Sequence, residues 1–260
     1  MTAPERLNRF LARSGVASRR GADSLIASGA VLVNGRRPPP AGMLVDADTD
    51  RVTVEGRPVQ AHAETAWFAV HKPEGVIVTT SDPERRTTLF DLLGEQSDRR
   101  LFAVGRLDFD SSGLILVTDD GSLANRLAHP RHKVPKEYVA VVRGIPGEPD
   151  LRRLREGVEL EDGVTRPARV ELLGSAKGVS EVRIVITEGR NRQVRRMFDA
   201  IGHEVRRLHR SAFGPIRLGR LKVGGHRRLR PPEVEGPSQS SNLDRHAMPP
   251  RGGVSQSARR

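Results

Sequence analysis

Residues 105–121 read Gly105-Arg106-Leu107-Asp108-Phe109-Asp110-Ser111-Ser112-Gly113-Leu114-Ile115-Leu116-Val117-Thr118-Asp119-Asp120-Gly121. Residues 114–118 form a branched, apolar run closed by an Asp-Asp-Gly turn, the pattern of a buried strand. Asp108 stands several residues upstream beside Arg106, on a connection that such a strand would hold rigid. A carboxylate in that setting is a candidate for chemistry. Nothing else in the chain competes with it. There is no cysteine, no histidine cluster with metal-ligand spacing, and no glycine-rich loop leading into a Lys-Ser or Lys-Thr pair. No metal site is expected.

Around this segment, residues 67–70, 75–79, 138–143, 168–173 and 182–187 also have the length and branching of strands. Helices are fewer, at 122–128, 150–157 and 192–201. The last is the clearest, because Val194, Met197, Phe198 and Ile201 form an i, i+3, i+4, i+7 stripe and Gly202 follows as a stop. Strands without regular helix alternation predict an α+β domain over 63–230, built on a large, mostly antiparallel sheet.

Residues 1–62 read as a separate small α/β module. Leu7, Phe10 and Leu11 recur at helical spacing, with Arg6, Arg9 and Arg13 on the other side and Gly15 as the end. Ser18 caps a second helix that buries Ala22, Leu25 and Ile26, begins with Arg19 and Arg20, and stops at Gly29. Val31 and Val33 lead into an Asn34-Gly35 hairpin turn, and residues 52–54 supply a further strand. Beyond 230 the composition turns to Ser, Pro, Gly and Gln, so 231–260 is expected to be a disordered basic tail.

The net charge is +12, and residues 183–230 hold 14 Lys or Arg against 3 Asp or Glu. A field concentrated in one region points to a polyanionic partner, with nucleic acid favoured over a solvated surface. A membrane partner is not expected. No apolar run of about 18 residues exists, the amino terminus lacks a signal-like stretch, and the absence of cysteine makes the cytoplasm the default compartment.

Two further segments carry chemistry. Tyr138 is the only tyrosine and shares a strand face with Ala140 and Val142, where it serves either as a stacking surface for a planar ligand or as a core residue. Residues 188–198 form a strand-to-helix junction dense in arginine. On a helix, Arg192 and Arg196 point away from the apolar stripe, toward phosphates, whereas Arg195 on its border reaches inward to pair with a carboxylate. Two rival functions are weaker. A magnesium phosphotransferase would use Asp108 and Asp110 as paired aspartates, but Gly105-Arg106 separates them from any preceding strand. A noncatalytic RNA-binding assembly factor would leave the three converging segments unexplained.

The segment from Arg6-Leu7-Asn8-Arg9-Phe10-Leu11 through Gly15-Val16-Ala17-Ser18-Arg19-Arg20 to Val33-Asn34-Gly35 resembles the S-four type RNA-binding domain. Gly105-Arg106-Leu107-Asp108, Gly113-Leu114-Ile115-Leu116, Lys136-Glu137-Tyr138 and Gly189-Arg190-Asn191-Arg192-Gln193-Val194-Arg195-Arg196-Met197 follow in order. With His71-Lys72-Pro73-Glu74-Gly75-Val76 and Gly214-Pro215-Ile216-Arg217-Leu218-Gly219, they resemble the ribosomal RNA pseudouridine synthase family across residues 4–230. His71 and Asp119 depart from it, standing where similar sequences often have asparagine.

The resemblance implies that Asp108 is the essential aspartate, Tyr138 the active-site tyrosine and Arg195 the basic partner of that aspartate. Arg6, Arg9, Arg13, Arg19, Arg20, Lys72, Arg106, Arg190, Arg192 and Arg196 are expected to bind RNA. The implied reaction breaks the N1–C1′ bond of a uridine, turns the base and rejoins it through C5. It has no redox step, so no cofactor is expected. The carboxylate either attacks C1′ or removes the C2′ proton. The nucleotide must leave the helical stack to react. The expected partner is ribosomal RNA or a ribosomal subunit precursor, more specifically the large subunit with the small as the alternative, bound by a monomer.

Overall fold

The computed structural model describes residues 4–40, 42–60, 64–94 and 99–235. The amino-terminal part comprises β1 (Glu5–Arg6), α1 (Leu7–Arg13), α2 (Arg19–Ala27), β2 (Val31–Val33), β3 (Leu44–Val45), β4 (Val52–Val54) and β5 (Arg57–Val59). Ser18 Oγ accepts from the Gly21 N–H at 3.0 Å and so begins α2, a cap worth about 1 kcal/mol. β2, β4 and β5 form an antiparallel meander, and β1 pairs with β3. Leu7, Phe10, Leu11, Ala22, Ile26, Val31 and Val52 close a core of their own, distinct from that of the following residues. The outward arginines stay on the surface because this apolar stripe occupies the inner face of both helices.

The second part contains β6 (Trp67–Lys72), β7 (Phe102–Ala103), β8 (Ser111–Thr118), α3 (Gly121–Ala128), β9 (Lys136–Arg143), α4 (Glu148–Glu156), β10 (Arg169–Ala176) and β11 (Val179–Ile186). It continues with α5 (Gln193–Asp199), β12 (Val205–Phe213), β13 (Ile216–Arg217), β14 (His226–Arg228) and α6 (Pro231–Glu235). The strands make one sheet in the order β10-β11-β9-β12-β8-β6-β14, with β13 added to β12 and β7 to β8. Every pairing is antiparallel except that of β12 with β8. One face carries Tyr138, Ala140 and Val142 against Leu151 and Leu154 of α4 and Met197 and Phe198 of α5. The other carries Leu114, Leu116 and Phe213 against Leu123 and Leu127 of α3. β8 is therefore covered on both sides, which is why its sequence is continuously apolar rather than alternating.

The parallel seam sets the geometry of everything above it. Gly113 of β8 lies opposite Arg210 of β12, with φ +112°, and a Cβ built there would stand 2.3 Å from the Arg210 carbonyl oxygen. Only glycine permits that approach.

Three expectations are corrected. Residues 75–79 are not a strand. Gly75 turns the chain and donates its N–H to the Phe109 carbonyl at 2.8 Å, leaving a single bridge between Ile77 and Thr88. β12, by contrast, was not expected at all. It carries Arg206, Arg207, His209 and Arg210, and bulges at Val205/Arg207 and Arg210/Ala212 switch which face each residue meets, so no two-residue alternation survives in its sequence. The carboxyl-terminal tail does not begin at 231. Pro231–Glu235 is helical, Val234 is buried against the second core, and Glu233 pairs with Arg227 at 2.8 Å. Residues 236–260 lie outside those described.

Candidate active site

A cavity of about 340 Å³ opens between the 105–111 connection, β9, β12 and the turn before α5. Its volume falls in the range of roughly 300–1,000 Å³ that holds small-molecule ligands. Asp108 lies at its mouth. The Asp108 carbonyl accepts from the Ser111 N–H at 3.1 Å, and the Gly75–Phe109 bond ties the connection to the chain after β6. Tyr138 is in the wall, contributed by β9. Tyr138 packs with the core cluster and also lines the cavity.

Arg195 reaches inward from α5, but its carboxylate partner is not Asp108. Its Nη2 donates to the Asp110 carbonyl at 2.7 Å and stands 3.3 Å from Asp110 Oδ2, while Nη1 donates to the Val205 carbonyl at 2.9 Å. The side chain thus clamps the connection to the start of β12. The arginine beside Asp108 is Arg192, with Nη1 3.7 Å from Asp108 Oδ2 and Nη2 3.0 Å from Asp110 Oδ2. Arg192 caps α5 in a left-handed conformation, φ 45°, a strained setting for a residue with a side chain. Partial burial pushes the Asp110 carboxyl up, but the Arg192 hydrogen bond and the Arg195 and Arg192 charges outweigh it and hold the group below its ordinary value.

The other expected phosphate-binding residues fall into three groups. Arg106 is exposed at the cavity mouth. Arg190 lines the cavity and Arg196 does not, but both are held by residues 162–164. Arg196 spans both Asp162 oxygens at 2.9 and 3.0 Å, and Arg190 Nη2 donates to the Val164 carbonyl at 2.6 Å. The Arg196 hydrogen bond draws the Asp162 carboxyl down to about 2. Arg6, Arg9, Arg13, Arg19 and Arg20 belong to the amino-terminal module and line none of this cavity; Arg9 and Arg13 both pair with Glu5, at 3.2 and 2.7 Å.

Lys72 does not face solvent. It is completely buried, because β6 lies between β8 and β14 and carries the side chain beneath the Asp108 connection. Its Nζ donates to the Pro73 carbonyl at 2.9 Å. Burial draws its pKa down to about 8, opposed by Glu74, Asp108 and Asp110. In this arrangement it supplies positive potential under two aspartates rather than a surface contact for phosphate. His71 and Asp119 are also structural. His71 Nδ1 bonds with the Leu221 carbonyl at 2.8 Å, and Asp119 binds the Ala66 N–H and Arg99, each at 2.7 Å.

Two lining residues escaped the sequence reading of the site. Arg210 is 2% exposed, and its Nε donates to the Leu114 carbonyl at 2.7 Å. Lys136 is 8% exposed and stands with its Nζ 5.2 Å from the centroid of the Phe213 ring. Arg210 had no available signal, since β12 itself was hidden. Lys136 sits two residues before Tyr138, so the strand period places both on one face.

Asp108 and Tyr138 share a cavity whose lining also includes Arg106, Arg190 and Arg192, an arrangement compatible with an enzyme acting on a nucleic acid. Residues 5–37 match the S4 domain, and residues 66–200 match the RNA pseudouridylate synthase model. The ribosomal large subunit pseudouridine synthase B of Bacillus subtilis strain 168 is 44% identical over 233 residues, which cover 89% of this chain and 94% of the relative. An RNA pseudouridine synthase of Aquifex aeolicus strain VF5 is 40% identical over 230 residues, covering 88% and 92%. A crystal structure of a pseudouridylate synthase matches with a TM-score of 0.64 at 31% identity, over 88% of this chain and 98% of that one. The chain belongs to the RNA pseudouridine synthase family.

Proposed function

We propose that the protein converts a uridine of large-subunit ribosomal RNA to pseudouridine, with Asp108 as the essential carboxylate. The observation that carries this reading is the placement of Asp108 at the mouth of a cavity whose wall includes Tyr138. Cleavage of N1–C1′ leaves positive charge at the sugar, which a carboxylate at that mouth offsets whether it attacks C1′ or removes the C2′ proton. Tyr138 stacks on the extruded uracil while the base turns. C5 then bonds to C1′ as the carboxylate leaves C1′ or returns the proton to C2′, the C5 proton leaves, and N1 takes a proton, so the product is an isomer of the substrate.

Arg195 is the positioning residue, holding the backbone of the connection through the Asp110 carbonyl. Extrusion of the nucleotide costs a few kcal/mol, which phosphate contacts at Arg106, Arg190, Arg192 and Arg196 offset. Arg6, Arg9, Arg13, Arg19 and Arg20 add contacts from residues 1–62, the binding module, while 63–230 form the catalytic domain. The protein acts as a monomer in the cytoplasm. The choice of the large subunit rests on the name of the Bacillus subtilis relative. Pseudouridine mapping of ribosomal RNA from cells with and without the protein tests it. One large-subunit position should revert to uridine in its absence; reversion in small-subunit RNA, or no change, contradicts the assignment.

A further inference from the structure

The cavity is polarised. Asp108 lines it as a partly exposed carboxylate, whereas Lys136 of β9 and Arg210 of β12 line it as buried cations whose charged ends both lie near one ring. Lys136 Nζ is 5.2 Å, and the Arg210 guanidinium carbon 5.1 Å, from the Phe213 centroid. Both side chains are more than nine-tenths buried. Among the described residues, neither forms an ion pair with a carboxylate. Lys136 has one long hydrogen bond, to the Val134 carbonyl at 3.3 Å. Arg210 Nη1 reaches only 3.5 Å contacts with the Arg106 carbonyl and the Tyr138 hydroxyl, and its buried Nη2 has no partner.

Glu188 is the carboxylate whose charge acts on Lys136, but it is engaged elsewhere. It accepts from Gln193 at 2.6 Å and from the Arg166 N–H at 3.0 Å. Two buried cations without counter-charges are expensive to keep, and the expense is expected where a ligand supplies the missing negative charge.

We infer that Lys136 and Arg210 form the binding site for the departing uracil as an anion, their N–H groups meeting its carbonyl oxygens while the base is detached. The inference rests on the pseudouridine synthase reading above. When N1–C1′ breaks, the bonding pair leaves with the base, and its negative charge spreads over N1, O2 and O4. When C5 bonds to C1′, the C5 proton is lost and N1 is protonated, so the base is neutral again. The charge exists only between these events. Donors that meet it there stabilise the intermediate and the transition states beside it more than uridine or pseudouridine, which is the condition for raising the rate. A resident carboxylate would cancel that advantage, which accounts for its absence.

The test is single-turnover conversion by the full-length protein on a ribosomal RNA fragment carrying the target uridine. It is repeated on the same fragment with 5-fluorouridine at that position. Fluorine stabilises the uracil anion intrinsically, so the departing base needs less help. Because C5 cannot shed fluorine as it sheds a proton, consumption of the original nucleotide is the readout. Lys136→Met should slow uridine consumption by roughly 10²-fold, as removal of one donor from a charge-stabilising site does, and 5-fluorouridine consumption by a clearly smaller factor. Lys136→Arg, which keeps the charge, should recover most of the loss. Arg210→Gln, which removes the charge, should show the same difference between bases when measured in the same way and keeps the inference testable if the methionine variant does not fold. Equal factors for the two bases, or a Lys136→Met rate equal to that of the wild type, overturn the inference. A wild-type protein that leaves uridine unchanged overturns the activity itself.

Discussion

The rim and the floor of one cavity handle positive charge in opposite ways. At the rim, Arg192 and Arg196 are partly exposed and matched to Asp110 and Asp162 at about hydrogen-bond distance. At the floor, Lys136 and Arg210 are buried and unmatched. Exposed ion pairs are worth little, commonly 0–1 kcal/mol, so RNA phosphates can exchange with the aspartates at small cost and the rim contributes affinity. An unmatched buried cation is a standing cost; in the role inferred above a transient anion offsets it, and the floor then contributes rate. The β8–β12 seam joins rim and floor, pairing Arg210 with Gly113 and bringing its Nη1 to 3.5 Å from the Arg106 carbonyl of the connection bearing Asp108.

That seam is the place where substitution should do the most damage. Gly113→Ala forces a Cβ into the Arg210 carbonyl at a left-handed φ, and the expected loss of stability is about 3 kcal/mol, read by urea denaturation. A variant as stable as wild type would mean that the two strands can separate freely, and the distinction between rim and floor would lose its structural basis. Arg195→Ala removes the clamp on the connection without touching the rim. Single-turnover rate should fall by about 10²-fold while RNA affinity changes little; a loss confined to affinity would move Arg195 to the rim group.

The pH dependence addresses the floor. Burial draws Lys136, and Lys72 beneath the connection, down to about 8. Both are protonated below that pH and lose their charge as it rises through 8, so the single-turnover rate should fall on the alkaline side. A rate that stays level to pH 9 would show that neither charge is used. The smallest effect belongs to the rim. Arg196→Ala should weaken RNA binding modestly, with the slope of log affinity against log salt reduced by about 1 and the saturated rate preserved.

The sequence made the rim legible and left the floor hidden, for physical reasons. Helical spacing in α5 separated Arg196 from Arg195, because periodicity fixes direction along a helix, whereas Arg192 is the left-handed cap and lies outside that periodicity. The continuous run in β8 and the two amino-terminal helices, the second capped by Ser18, were equally readable. Partner identity was not, since which carboxylate meets Arg195 depends on how the 105–110 connection folds over α5, and Asp110 takes that place. Lys72 looked like another surface cation because its burial is decided by strand order, which sequence does not state. β12 was concealed by its own charges and bulges, and Arg210 with it.

Asp108→Asn separates the chemistry of the proposed site from its binding of RNA. Single-turnover pseudouridine formation is measured for this variant at enzyme concentrations that saturate a large-subunit ribosomal RNA substrate. The variant should bind the RNA with near wild-type affinity and form no pseudouridine; conversion at the wild-type rate would refute Asp108 as the essential carboxylate.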